Sequence, residues 1–321
     1  ALVALGLARA DRAQYAEAER LVREGLVLGS QGRPATHPDA LEATTALAHV
    51  LRERGAYDSA IAVQERVVRL RGDSATPELA AGLSELAAAH FFAGHYAVAD
   101  SLNGRVLALS RTLHGDRHPL VAEDLLNLGA IRFDRGDYVG AERYYRQALE
   151  IAAAWYGPDH PRTAATLNML GQSLVFQDRT KEGVPLLRQS LVVRERVYGP
   201  SHPLVASTLN ELGNAAIRGK DLDEAETAFT RMVAIYRAAY DDRHYLIGTA
   251  LSNLATVHNE RKDYRRAEAL YREAVRRFAD TQGTVWDEMR RVFVSVRADG
   301  ELLAEMEHAM AAGDHDPDLL A

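Results

Sequence analysis

Between residues 118 and 158 the apolar positions recur at helical spacing. Val121, Leu125, Leu128 and Ile131 fall three or four apart, the face of a helix with 3.6 residues per turn. Pro119, just ahead of them, has a preset φ and lacks only an N–H that the first helical position leaves unpaired. The pattern stops at Gly136, which can take the left-handed conformation that ends a helix, and Asp137 caps the next one. A second helix is predicted from about Tyr138 to Tyr156. Gly129 and Ala141 are small enough for the two backbones to approach, with Tyr138 and Tyr145 filling the space beside them. This stretch therefore predicts an antiparallel helix hairpin.

The hairpin repeats. His37-Pro38, His118-Pro119, His160-Pro161 and His202-Pro203 mark it, echoed by Thr76-Pro77 and His244-Tyr245, and from 118 onward the step is 42 residues. A second marker at Tyr15, Tyr57, Tyr96, Tyr138, Thr180, Leu222 and Tyr264 keeps the same step, apart from one of 39. Small residues follow three later, from Ala18 to Ala267, and a Leu-Gly or Leu-Ala pair precedes by ten. One hairpin leaves an apolar face bare, which the next must cover. Seven such steps predict an all-α fold, a right-handed superhelical solenoid of antiparallel hairpins with a concave groove. Turns are expected near Gly55, Gly94, Gly136, Asp178, Gly219 and Lys262.

Leu-Gly followed by Ala-x-x-x-Tyr at Ala141/Tyr145 and Ala267/Tyr271, with Ala225/Phe229 between, matches the tetratricopeptide pattern in a 42-residue form. Residues 148–171 and 192–213 resemble the repeats of kinesin light chains and of bacterial arrays sharing that unit. The resemblance covers roughly residues 1–280 and implies a binder of other polypeptides. Similar arrays serve as cargo binders, kinase appendages, sensors and scaffolds.

Departures from the pattern set the expected boundaries. The chain opens at Ala1 inside a repeat, with no leader ahead of it, as a piece of something longer would. Pro185, about six residues into a second helix, removes one backbone hydrogen bond and predicts a local irregularity. The markers fail after Phe278, so residues 1–280 are expected to form the solenoid and 281–321 a degenerate helical cap with a frayed tail.

With 47% hydrophobic and 26% charged residues the chain has ample material for a core. Its net charge of −7, with both signs interspersed, offers no basic stripe to nucleic acid. The most apolar stretch is interrupted at Arg9, far short of the ~20 residues a membrane span needs. The absence of cysteine removes disulfides and thiolate sites but leaves the compartment open, with a cytoplasmic one favoured.

Histidines are the first candidates for chemistry, as general bases or metal ligands. His37, His118, His160, His202 and His244 recur once per repeat, so a whole hairpin separates them and they cannot converge on one metal. No catalytic, phosphate-binding or dinucleotide motif occurs. No enzyme activity, cofactor or metal is therefore expected. The arginines of the last repeat, Arg265, Arg266, Arg272, Arg276 and Arg277, are interleaved with Glu268 and Glu273, the pattern of a solvated face.

In the family, the first helix of each repeat lines the inner curve, and the resemblance points to Asn127, Asn168, Asn210, Asn214, Asn253 and Asn259. Thr45, His49, Gln172 and Thr256 flank them. An amide donates and accepts together, so such residues can pair with the main chain of an extended peptide. Phe91, Phe92, Phe133 and Phe176 stand beside them as candidate anchors for bulky side chains. The leading expectation is a peptide- or protein-binding scaffold module. The alternatives are a subunit that assembles head-to-tail through its solenoid ends, giving a homo-oligomer, and a regulatory domain appended to a bacterial kinase or other enzyme.

Overall fold

A computed structural model describes residues 1–10, 14–240 and 244–279. The described residues form fourteen helices and no strand. They fall into two compact units, one ending at Trp155 and the other beginning at Tyr156. The first unit holds α1 (Leu2–Ala10), α2 (Tyr15–Ser30), α3 (Pro38–Glu53), α4 (Tyr57–Arg71), α5 (Pro77–Phe92), α6 (Tyr96–His114), α7 (Pro119–Asp134) and α8 (Tyr138–Tyr156), which ends at the boundary. The second holds α9 (Pro161–Phe176), α10 (Thr180–Tyr198), α11 (Pro203–Gly219), α12 (Leu222–Ala239), α13 (Tyr245–Glu260) and α14 (Tyr264–Ala279). Odd-numbered helices open each hairpin and are called A helices; the even-numbered ones are B helices. The expected cap over 281–321 lies outside the described residues.

The A helices start where their caps say. At His37, His118, His160, His202 and His244 the imidazole Nδ1 accepts the amide of the second residue onward, at 3.1–3.3 Å. Four of these rings also stack on an aromatic four residues earlier, as His160 does on Tyr156 at 4.5 Å and His244 on Tyr240 at 3.9 Å. The recurrent histidines are thus helix caps. At Thr76 the hydroxyl does the same work, accepting from Leu79 N at 3.2 Å.

Within a hairpin, a small residue on the A helix admits a large one from the B helix. A Cβ added at Gly129 would stand 2.3 Å from the Tyr145 ring, and one at Gly213 would stand 2.5 Å from Phe229. Both rings are buried, so the missing Cβ is what allows the ring to seat. Ala141, at the same crossing, is fully buried. In the first unit the core gathers Val22, Leu47, Val50 and Leu51, then Leu79, Leu83 and Val106, then Val121, Leu125 and Leu128. In the second it runs from Val175 and Leu187 through Leu209 and Phe229 to Leu251 and Tyr271.

Two expectations are refined. The turn expected at Gly219 is centred one residue on: Gly219 ends α11 and Lys220 takes the left-handed conformation, φ 60°. Asp178 and Lys262 do likewise where Gly55, Gly94 and Gly136 serve elsewhere. Pro185 does not interrupt α10, whose 19 residues match α6 and α8. It sits on an exposed face in the second turn, where its missing N–H leaves a single carbonyl, that of the exposed Lys181, without its helical donor.

Candidate functional site

In the first unit the A helices frame two cavities. The larger, about 580 Å³, lies among α1, α3 and α5. Val3, Leu7, Leu41 and Ala46 give it apolar walls, and Thr45, His49, Arg71 and Glu85 supply the polar groups. His49 Nδ1 lies 3.9 Å from Glu85 Oε2, while Arg52 Nη2 stands 3.6 Å from the same carboxylate and 3.0 Å from the same imidazole nitrogen. The Glu85 side chain raises the His49 pKa, against burial and Arg52, and His49 in turn holds the Glu85 carboxyl below its ordinary value. Arg71 bonds the backbone carbonyl of Glu78 and, at 3.4 Å, the Thr45 hydroxyl.

The smaller cavity, about 220 Å³, lies among α5, α6 and α7. It brings together three residues singled out in the sequence, Phe91, Phe92 and Asn127, with Asn103 beside them. Its remaining lining is small or aliphatic: Ala87, Ala88, Ala130 and Ile131 among them. Asn127 is exposed; Phe91 is half-buried, edge-on to Tyr96 at 5.5 Å. Phe133 occupies the same repeat position as Phe91 and is half-buried against Tyr138 at 5.0 Å. In both hairpins the phenylalanine packs on the tyrosine that opens the B helix.

In the second unit chosen amides gather beside a residue that sequence reading missed. Asn253 Nδ2 donates to Asn210 Oδ1 at 2.6 Å, and Asn210 Nδ2 donates to Glu211 Oε1 at 3.0 Å. Gln172 also acts on this carboxylate, favouring its ionised form. Burial nevertheless raises the Glu211 pKa, and these two amides together with Arg194 only partly oppose it. Arg194, buried, gives Nη1 to Leu204 O and to Thr208 Oγ1, each at 2.8 Å. Asn168 is buried and its Oδ1 accepts no hydrogen bond. Asn214 is half-buried on α11. Asn259 stands in the last turn of α13, where its carbonyl accepts from Lys262 N at 2.9 Å. Phe176 ends α9 with Arg218 over its ring at 4.7 Å.

The chosen residues therefore do not form one row. Counted in repeat steps, Asn127 and Asn253 share a position, Asn168 and Asn210 a second, Gln172 and Asn214 a third, and Asn259 falls with Phe91 and Phe133. A signal for Glu211 was present: it lies three steps of 42 residues after Glu85, in the register of Asn127 and Asn253.

In the last repeat some surface charges are paired. On α14, Arg272 bonds Glu268, and Glu273 meets Arg237 of α12 at 2.7 Å. The side chains of Arg276 and Arg277 lie outside those described. Among the described residues no three His, Asp or Glu could hold a metal, and no helix is long and apolar enough to cross a membrane.

Several solved structures resemble this fold. BtubC (BKLC) from P. vanneervenii is 23% identical with a TM-score of 0.57, over 76% of this chain and 93% of that one. Nearly identical TPR-like repeats from Podosopora anserina, described as kinesin light chain, are 22% identical with a TM-score of 0.55, over 61% of this chain and 94% of that one. A Rap protein complexed with Competence and Sporulation Factor is 13% identical with a TM-score of 0.64, over 97% of this chain and 86% of that one. At such identities the likeness is one of fold. No curated protein matches the chain. The family described as Tetratricopeptide repeat matches residues 3–75 and, in overlapping stretches, 78–152, 124–182, 174–238 and 204–280. Hairpin after hairpin, over most of its length, the chain belongs to the tetratricopeptide repeat family.

Proposed function

We propose that the chain is a scaffold that holds a polypeptide along the A-helix faces of its repeats. The observation that carries this reading is the 220 Å³ cavity at which Phe91 and Asn127 meet. A cup of that size takes one bulky side chain, and an exposed amide at its rim can donate to and accept from the main chain beside that side chain. The fold supports the reading by analogy, since a Rap protein of similar fold was solved in complex with Competence and Sporulation Factor.

The test is an array of random peptides probed with the whole chain, followed by binding and melting of two variants. Asn127→Ala should weaken the selected peptides by ~0.5–1.5 kcal/mol and leave the melting temperature in place, because the side chain is exposed. Phe91→Ala should cost ~2 kcal/mol of binding. Selected peptides that bind both variants normally would sink the assignment. A mass that climbs with concentration, with no peptide bound, would favour head-to-tail assembly instead.

A further inference from the structure

We infer that the larger cavity of the first unit selects a polypeptide segment in which a bulky apolar side chain is flanked by lysine or arginine. This rests on the peptide-binding reading and names the chemistry of the ligand at a second place, apart from the Phe91–Asn127 cup.

The walls set the first requirement. Val3, Leu7, Leu41 and Ala46 line a space of about 580 Å³, large enough for more than one side chain. The second requirement comes from deciding which charges are still available. Three carboxylates, Glu42, Glu78 and Glu85, share the lining with the Arg71 guanidinium and the His49 imidazole. Glu85 is already engaged by His49 and Arg52, at 3.9 and 3.6 Å. Arg71 is directed into the protein, toward Glu78 O and Thr45 Oγ1, and its Nη1 lies only 2.7 Å from where a Cβ on Gly82 would stand. Glu42 and Glu78 differ from these. Both are exposed, and among the described residues neither carboxylate is held by a hydrogen bond or a salt bridge, although Glu78 lies in the field of Arg71.

Two exposed carboxylates, neither held by a hydrogen bond, therefore border an apolar cup, on a chain whose net charge is −7. Such a rim draws cationic segments and penalises acidic ones, since like charges brought together without compensation are the cheapest way to refuse a partner.

Three fluorescein-labelled octapeptides would test this, sharing a central Leu-Phe pair flanked by lysines, serines or glutamates. Each is titrated by anisotropy against the whole chain at low salt. The lysine peptide should bind about tenfold tighter than the serine peptide, and the glutamate peptide should not bind. The double variant Glu42→Gln/Glu78→Gln should erase the lysine advantage and leave serine-peptide affinity as it was; both positions are exposed, so the fold survives the change. Equal affinities, tighter binding of the glutamate peptide, or a lysine advantage that persists in the double variant would overturn the inference. So would a concentration-dependent dimer lost in the double variant, which would make a second copy the occupant. If array-selected peptides bind through Phe91 and Asn127 while none of the three octapeptides binds, the inference fails and the proposed function stands. If no peptide binds at all, both fail.

Discussion

Where α3 meets α5, Glu85 faces a histidine and an arginine; where α9 meets α11, the repeat-equivalent Glu211 has two neutral amides acting on it, Asn210 and Gln172. The scaffolding around the two carboxylates is the same. Arg71 donates to the carbonyl of Glu78, and Arg194 donates to the carbonyl of Leu204, which occupies the same place in the first turn of its A helix. What differs is what the neighbouring A helix supplies: His49 and Arg52 in one case and, one step of 39 and two of 42 further on, Gln172 and Val175 in the other. Imidazole can take a proton and balance the carboxylate, so Glu85 stays easily ionised. Glutamine stays neutral and can offer the carboxylate no more than a hydrogen bond, so burial dominates and the Glu211 pKa rises. The first junction is an open cavity with charges to offer. The second has spent its polar groups on one another.

The largest expected contrast is between the two arginines. Arg194→Ala removes a buried guanidinium that satisfies Leu204 O and Thr208, and should cost about 3 kcal/mol; Arg71→Ala, at a half-buried site, should cost about 1 kcal/mol. Hydrogen exchange resolved by helix is the measurement, because repeat arrays need not unfold in one step. Equal loss of protection in α11 and α5 would mean that the two junctions are not built differently.

The carboxylates sharpen the contrast because their signs are opposite. Glu85 has a lowered pKa in the fold, so its contribution is present above the unfolded carboxylate value and lost as pH falls through the folded one. Glu211 has a raised pKa, so its contribution is full below the unfolded value and lost as pH rises through the folded one. At neutral pH Glu85→Gln should therefore destabilise by under ~1 kcal/mol, a figure kept small by solvent screening. Glu211→Gln should be neutral or stabilising by up to ~1 kcal/mol. Denaturation followed across acid and neutral pH checks both, and a shared sign would contradict the account.

The smallest effect comes from exchanging the partners. His49→Gln should let the Glu85 pKa climb, and Gln172→His should pull that of Glu211 down, each with stability changes of about 0.5 kcal/mol. Carboxyl chemical shifts through a pH titration would report the movement. His49 itself, with its pKa raised, contributes below the unfolded imidazole value and loses that contribution as pH rises through the folded one.

The junctions also show why the proposed site was only partly legible. Asn127 and Phe91 could be picked from their helix and residue type, and they do line one cavity. Asn210 and Asn253 could be picked by the same reasoning, yet they bond each other, and a ligand would have to displace that contact. Nothing in the spacing of asparagines separates the two cases. Glu85 and Glu211 looked like ordinary surface charges, because a glutamate on a helix reads as solvated until a neighbouring helix encloses it.

Helices, hairpins, caps and the family were determined by the sequence alone, because each rests on contacts within about 42 residues that recur in register: a proline at the first turn, a capping histidine, a glycine opposite a large ring. Which polar groups remain free for a partner was decided by the tertiary structure. That choice depends on the angle and distance at which successive A helices meet. There the partners that meet a carboxylate, His49 and Arg52 for Glu85 or the neutral Gln172 and Asn210 for Glu211, decide whether its pKa is held down beside an open cavity or raised by burial.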